Sequence, residues 1–363
     1  MIASAGQFNF ADRVDELLAQ YDQPSASVAQ LLVDRHPADA VAFHIVQPDL
    51  SATQITFGDL ATKSHAFASA LAAQGVKRGD AVGVLMGKSE ELVVALIGIW
   101  RLGAIHVPLF TAFAAPAIEL RLSASGARVV VVDDDQQSKL DVVQIDGVAR
   151  IVVGGAGSDD TSYNALMDAY SGQSVDTVAG GGAATMILLF TSGTTGTPKG
   201  VLVPARAIAS LHEYMEMGLD LRNDDVFWNA ADPGWAYGLY YALVGPMAMG
   251  LPSILLKAGF SPALSWQVME RFGVTNFAAA PTVYRALRTD PAPIPEGLKL
   301  RRASSAGEPL TPDVINWAQD ALGTTVRDHY GQTEHGMMIC NSWIDGLREE
   351  VKPGSMGRPL PGW

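Results

Sequence analysis

The chain has 363 residues, enough for two or three compact units at about 150 residues each. It carries 25 Lys+Arg against 38 Asp+Glu, a formal net charge of −13, so it has no bulk attraction for nucleic-acid backbones or anionic lipid. Hydrophobic residues make up 48% and charged residues 17%, which excludes a disordered chain, and a single cysteine, Cys340, excludes an intramolecular disulfide or a cysteine zinc cluster. Cys340 reads as a small buried apolar residue. The first residues show no basic start followed by an apolar core, so they do not read as a secretory signal. The longest apolar run, Leu92 to Trp100, is about half of a bilayer span. A soluble, cytoplasmic chain is expected, with oligomerisation left open.

In chain order, residues 25–36 predict a short helix behind a serine cap, stopped by Pro37. Residues 59–74 have helical spacing and end at Gly75. Asp80–Met86 reads as a buried strand, Ser89–Leu102 as an apolar helix, and Ala104–Leu109 as another strand. A helix at 117–125 and the strand 128–132 repeat the unit, which is the signature of a parallel sheet covered by helices. Residues 171–182 (SGQSVDTVAGGG) form the clearest linker. Beyond it a second series predicts strand 186–190, helix 205–217, and elements at 226–229, 237–249, 252–256, 261–272, 275–279, 281–288, 299–304, 311–322 and 325–328. The expected fold class is α/β: two α/β subdomains with mostly parallel sheets, 1–180 and 181–340, and the start of a third unit at 341–363. Ligands in such folds bind at the carboxyl ends of strands.

The strongest chemical signal is the stretch 188–200 (LLFTSGTTGTPKG). An apolar strand runs directly into a loop rich in glycine and hydroxyl side chains. Gly193 and Gly196 free the backbone to turn its N–H groups toward one point. Thr191, Ser192, Thr194 and Thr195 add donors, and Lys199 adds a mobile positive charge. These residues make a cradle for a polyphosphate. The pattern is neither G-x-x-x-x-G-K-[ST] nor G-x-G-x-x-G, so it is not one of the usual nucleotide loops.

Residues 191–200 resemble the signature loop of the adenylate-forming superfamily, which includes acyl-CoA synthetases, luciferases and peptide-synthetase adenylation domains. Four further segments follow in the superfamily's order. Residues 231–238 (ADPGWAYG) resemble the acyl-pocket segment, and 304–310 (SSAGEPL) the adenine-binding segment. Residues 328–335 (DHYGQTEH) resemble the motif for adenine, α-phosphate and magnesium. Residues 354–361 (GSMGRPLP) resemble the entry to a small β-barrel. The resemblance runs from about residue 25 to the end. It implies ATP-dependent conversion of a carboxylic acid to an acyl-adenylate, followed by transfer to CoA, with Mg2+ assisting the first step.

Residue by residue, the resemblance implies that Glu334 binds Mg2+ and Thr333 donates to the α-phosphate. Tyr330 offers a face for adenine, beside Asp328, His329, Gly307, Glu308 and Pro309. Trp235 and Gly307 belong to the acyl pocket; the lesser reading of Trp235 is a tryptophan packed in the core. Gly234-Trp235 stands where luciferase-like relatives have a His-His pair, and Asp232 does not fit an amino-acid binder. Gly331 stands where acetate-specific relatives carry a tryptophan. Its small size implies a longer, branched or aromatic acid, because each buried methylene is worth roughly 0.8 kcal/mol. The seven histidines show no zinc spacing.

The superfamily's Thr-Gly-Asp motif, its hinge and its late catalytic lysine have no counterpart before Trp363; the last lysine, Lys352, lies in a different context. The resemblance therefore implies the large N-terminal portion of an acyl-CoA synthetase, binding ATP weakly and slow in adenylation by itself. Two other readings stay open: an adenylating enzyme serving carrier-protein pantetheine, and a non-catalytic adenylate-binding protein.

Overall fold

The computed structural model describes residues 9–145, 147–157, 160–191 and 198–363. Two sheets organise them. The strands are β1 (Val41–Val46), β2 (Ala52–Thr56), β3 (Ala81–Leu85), β4 (Ile105–Pro108), β5 (Val129–Asp133), β6 (Ala149–Val153), β7 (Thr161–Ser162), β8 (Thr185–Thr191), β9 (Lys199–Pro204), β10 (Phe227–Asn229), β11 (Ser253–Leu256), β12 (Asn276–Ala279), β13 (Arg302–Ala306), β14 (Val326–Gln332), β15 (Gly336–Cys340) and β16 (Arg358–Pro359). A seven-stranded sheet runs β7-β6-β5-β3-β4-β8-β9, and a nine-stranded sheet runs β16-β15-β14-β13-β12-β10-β11-β1-β2. Interior pairs are parallel, and the antiparallel pairs lie at the ends: β8 with β9, β1 with β2, β14 with β15, and β15 with β16.

The α/β class follows from local sequence. β3 and the four valines of β5 are buried along both faces, as parallel strands covered by helices must be. Helix Phe57–Ala73 starts at a capping box, Thr56 with Asp59. Helix Glu90–Arg101 is capped by the Ser89 side chain, with two glutamates in its first turn and Arg101 in its last. Its apolar residues join the largest buried cluster, which runs between the two sheets. Cys340 is buried and free, as its isolation in the sequence suggests.

Sheet membership does not change at residue 180. β8 and β9 follow the 171–182 segment yet complete the seven-stranded sheet, while β1 and β2 precede it and join the nine-stranded one. The segment is laid along the protein. Val178 N–H donates to Arg101 O at 2.8 Å, and the buried Arg101 guanidinium donates to Thr177 Oγ1 at 3.1 Å and Ser64 Oγ at 2.8 Å. Its composition reads as a linker, but its backbone is packed.

Candidate active site

β12, β13 and β14 are parallel neighbours, so their carboxyl ends open on one side. Residues 307–309 leave β13 there, and Tyr330 to Gln332 end β14. β13 is pinned from behind: Trp343 Nε1–H donates to Ser304 Oγ and Tyr284 O–H to Ser304 O, both at 3.0 Å. β14 then turns back through Thr333 to His335 into β15.

A helix supports this turn from below. Residues 236–249 form one continuous helical stretch whose middle, Leu239–Val244, has π geometry. The widened turn lets two adjacent tyrosines serve the same segment. Tyr240 O–H donates to Thr333 O at 3.0 Å, and Tyr241 Oη accepts from Met337 N–H at 2.7 Å. A regular α-helix would rotate neighbouring side chains by 100°, and such π segments recur at functional sites.

A cleft of about 640 Å³ lies over these elements. Its walls include Trp235, Tyr237, Tyr240, Tyr241, Gly307, Glu308, Gly331, Thr333 and Met337. An adjoining cleft of about 360 Å³ is lined by residues 307–310, 328–331, Gly354 and Met356. A third, of about 200 Å³, holds Thr333, Glu334, His335, Ser210, Arg206 and Trp363. Residues predicted as acyl-contacting and adenine-contacting therefore share Gly307, Glu308 and Gly331, and Thr333 joins the first cleft to the third. Glu334 is exposed at the turn.

Individual side chains differ in what they are free to do. Trp235 is 43% exposed and packs on Phe110 and Phe113, with ring centroids 5.4 and 5.3 Å away; it is a rim residue, not a core one. Glu308 is tied to Arg285 at 2.7 Å. Asp328 is buried, its Oδ1 without a partner among the described residues, and burial pushes its pKa up to about 6. His329 is committed elsewhere. Tyr214 O–H donates to its Nδ1 at 2.7 Å, and its Nε2 faces Asn341 O at 3.3 Å, which fixes the Nε2–H tautomer. Burial holds its pKa down to about 3, so the ring is neutral.

The Trp235 loop is braced. Lys88 Nζ donates to Ala230 O at 3.0 Å, and burial lowers its pKa. Asp232 accepts from Gly234 N–H at 2.7 Å; burial raises its pKa, against the pull of the Lys88 charge. A Cβ on Gly238 would collide with Asp232 O, so the loop closes only with glycine there.

Thr191 and Lys199 face each other as the last and first residues of β8 and β9. Lys199 is exposed, and neither residue lines the three clefts. Ser192, Gly193, Thr194, Thr195 and Gly196 lie outside the described residues. Gly331 lines the largest cleft, but its Cβ direction points into the backbone of Gly336 and Met337. An indole there would require the β14–β15 turn to shift, so the argument from an opened pocket floor loses its geometric basis. Tyr240 and Tyr241, which line the first cleft, and Lys88, which braces the Trp235 loop, were not singled out from the sequence. Three tyrosines within six positions after the tryptophan were a usable signal.

The family model described as "AMP-binding enzyme" matches residues 30–363. Acetyl-coenzyme A synthetase of Bacillus subtilis (strain 168) is 33% identical over 320 residues, covering 85% of this chain and 54% of its own length. That of Streptomyces coelicolor (strain ATCC BAA-471 / A3(2) / M145) is 31% identical over 369 residues, covering 93% and 56%. The crystal structure of a Brucella canis acyl-CoA synthetase superposes with a TM-score of 0.88 and 39% identity, over 98% of this chain and 66% of that one. An anthranilate CoA ligase in complex with anthranoyl-AMP gives 0.83 and 26%, over 93% and 64%. The chain spans about half the length of the curated relatives it matches. With its fold, its clefts and these likenesses in agreement, the chain belongs to the AMP-binding enzyme family.

Proposed function

We propose that the protein is an AMP-forming acid–thiol ligase, and that this chain holds its ATP and its carboxylic acid. The observation that carries this reading is the braced β14–β15 turn, which brings Thr333 and Glu334 to the meeting point of the clefts. In the first step a carboxylate oxygen attacks the α-phosphorus of ATP; the bond to the bridging oxygen breaks and pyrophosphate leaves. In the second, the CoA thiolate attacks the acyl carbon, and AMP leaves with the anhydride oxygen.

Thr333 donates to the α-phosphate, and Tyr330 lies along the adenine, with Asp328 and residues 307–309 around it. His329 supports that wall through Tyr214. Thr191, Lys199 and the loop between them hold the outer phosphates. Mg2+ fits Glu334: among the described residues no trio of His, Cys, Asp or Glu forms a cage, and Mg2+ is ordinarily held by one or two carboxylates with substrate phosphates and water. Its charge would offset that of the phosphates. The acid lies between Trp235 and Gly307, over Tyr237 and Met337, and the aromatic walls favour an aromatic or medium-chain acid over acetate. The division at 1–180, 181–340 and 341–363 is retained as units of chain order with exchanged strands, and the enzyme is placed in the cytoplasm.

The test is pyrophosphate and AMP formation by the complete gene product over a panel of carboxylic acids, with and without CoA. Acid-dependent pyrophosphate release followed by CoA-dependent thioester is expected. Adenylation indifferent to the acid would overturn the reading, and a highest kcat/KM for acetate would overturn the acid class.

A further inference from the structure

Next to the third cleft, and sharing Arg206, Ser210 and Trp363 with it, lies a further cavity of about 270 Å³. Its walls come from the N-terminal helix Phe10–Tyr21, the helix Ile208–Glu213 and residues 361–363. They are largely apolar, with Val14, Leu17, Leu18 and the Trp363 indole, and their polar side chains are Glu213, Arg206 and Ser210. Leu18, on the N-terminal helix, is 46% exposed and lines this cavity.

Glu213 is the informative residue. It is 4% exposed, Trp363 Nε1–H donates to its Oε2 at 3.3 Å, and its Oε1 has no partner among the described residues. The acids around it have cations. Glu216 is paired with Arg13 at 3.0 Å and approached by His212 at 3.6 Å, and Asp22 lies 3.9 Å from Arg206. Among the described residues Glu213 has no ion pair, although a buried carboxylate is costly without one. Burial and the Glu216 charge accordingly push its pKa up to about 7. A carboxyl lacking a cation, at the wall of an apolar cavity with an indole beside it, is complementary to a primary ammonium on a small apolar body.

We propose that this cavity is a second binding site, for a small arylalkyl or alkyl primary amine whose ammonium pairs with Glu213. The apolar body would lie against Leu17, Leu18 and Trp363. The site is coupled to the clefts by contact, because the Trp363 ring packs on His335 at 5.7 Å, next to Glu334. This assignment does not depend on the reaction proposed above.

The probe is 2-phenylethylamine, titrated into the complete gene product by calorimetry, with 2-phenylethanol and 3-phenylpropionate as matched neutral and anionic probes. Saturable one-to-one binding of the amine is expected, at least tenfold tighter than either analogue. Glu213→Gln should bring amine and alcohol to equal affinity while the alcohol's own affinity is kept. Leu18→Trp, a change on an exposed helix face, should block all three. The proposal is overturned if the three probes bind alike, if the anion is preferred through Arg206, or if the amine's affinity survives either substitution in chains whose circular dichroism is unchanged.

Discussion

Two of the antiparallel hairpins that close off the parallel sheets carry candidate site residues, β14–β15 in its turn and β8–β9 at Thr191 and Lys199. β14–β15 turns through three residues. It is held by Tyr240 and Tyr241 from beneath, and Ser210 Oγ lies 3.5 Å from His335 O. β8–β9 sits at a sheet edge, with Lys199, Gly200 and Leu202 exposed, Leu202 by 61%. The first hairpin has its geometry set before any ligand arrives; the second offers its groups to solvent. A group that must stabilise charge developing on phosphorus belongs on the first, because preorganised donors need not reorganise during reaction. A mobile cation that gathers outer phosphates can sit on the second.

The largest expected contrast is chemical. In the complete gene product, Glu334→Gln should slow pyrophosphate release by about 10²–10³-fold at saturating ATP. Lys199→Ala should mainly raise the KM for ATP, by about tenfold, the worth of roughly 1.4 kcal/mol. Equal losses in kcat would break the distinction. Next comes packing. Gly331→Ala drives a Cβ into the Gly336 backbone and should cost about 3 kcal/mol in urea unfolding. Gly200→Ala meets only side chains, the end of Leu188 at 2.8 Å and the Phe190 ring at 3.5 Å, and should cost less than about 1 kcal/mol.

A third effect depends on pH. The folded state holds the Asp328 proton more tightly than the unfolded chain does, so that contribution is complete below about pH 4 and is lost as pH rises through 6. His329 acts oppositely: its contribution is complete above pH 6.5 and is lost as pH falls toward 3. Asp328→Asn should therefore gain on the wild type between pH 4 and 7, by on the order of 2 kcal/mol. Unfolding free energies at the two pH values measure it, and a constant difference would remove Asp328 as the cause. Tyr241→Phe removes the acceptor of Met337 N–H and should cost about 1–2 kcal/mol.

Much of the fold was legible because the first βαβ units obey local rules. Ser89, Gly75 and the valines of β5 mark their own elements. β1 and β2 were not legible: residues 41–56 carry weak alternation, and their pairing with β11 depends on chain far away. Motif order singled out Trp235, Gly307, Thr333 and Glu334, which line the clefts. It did not find Lys88, whose partner Ala230 O is 142 residues away, or the paired tyrosines, whose joint reach depends on a π segment that 3.6-residue periodicity does not reveal. It also misjudged Gly331, whose smallness answers to the backbone of the next strand.

The exchange of strands between the sheets has a consequence for how the chain comes into being. Val46 aligns with Leu256, 210 positions later. At ribosomal rates of about 5–20 residues per second, β1 waits about 10–40 s for its neighbour, with β2 its only partner meanwhile. A two-stranded hairpin is marginal on its own. The newborn chain thus holds an unfinished apolar edge throughout that interval, and cutting at residue 180 would make the interval permanent: one piece would keep β1–β2 without β11, the other β8–β9 without β4.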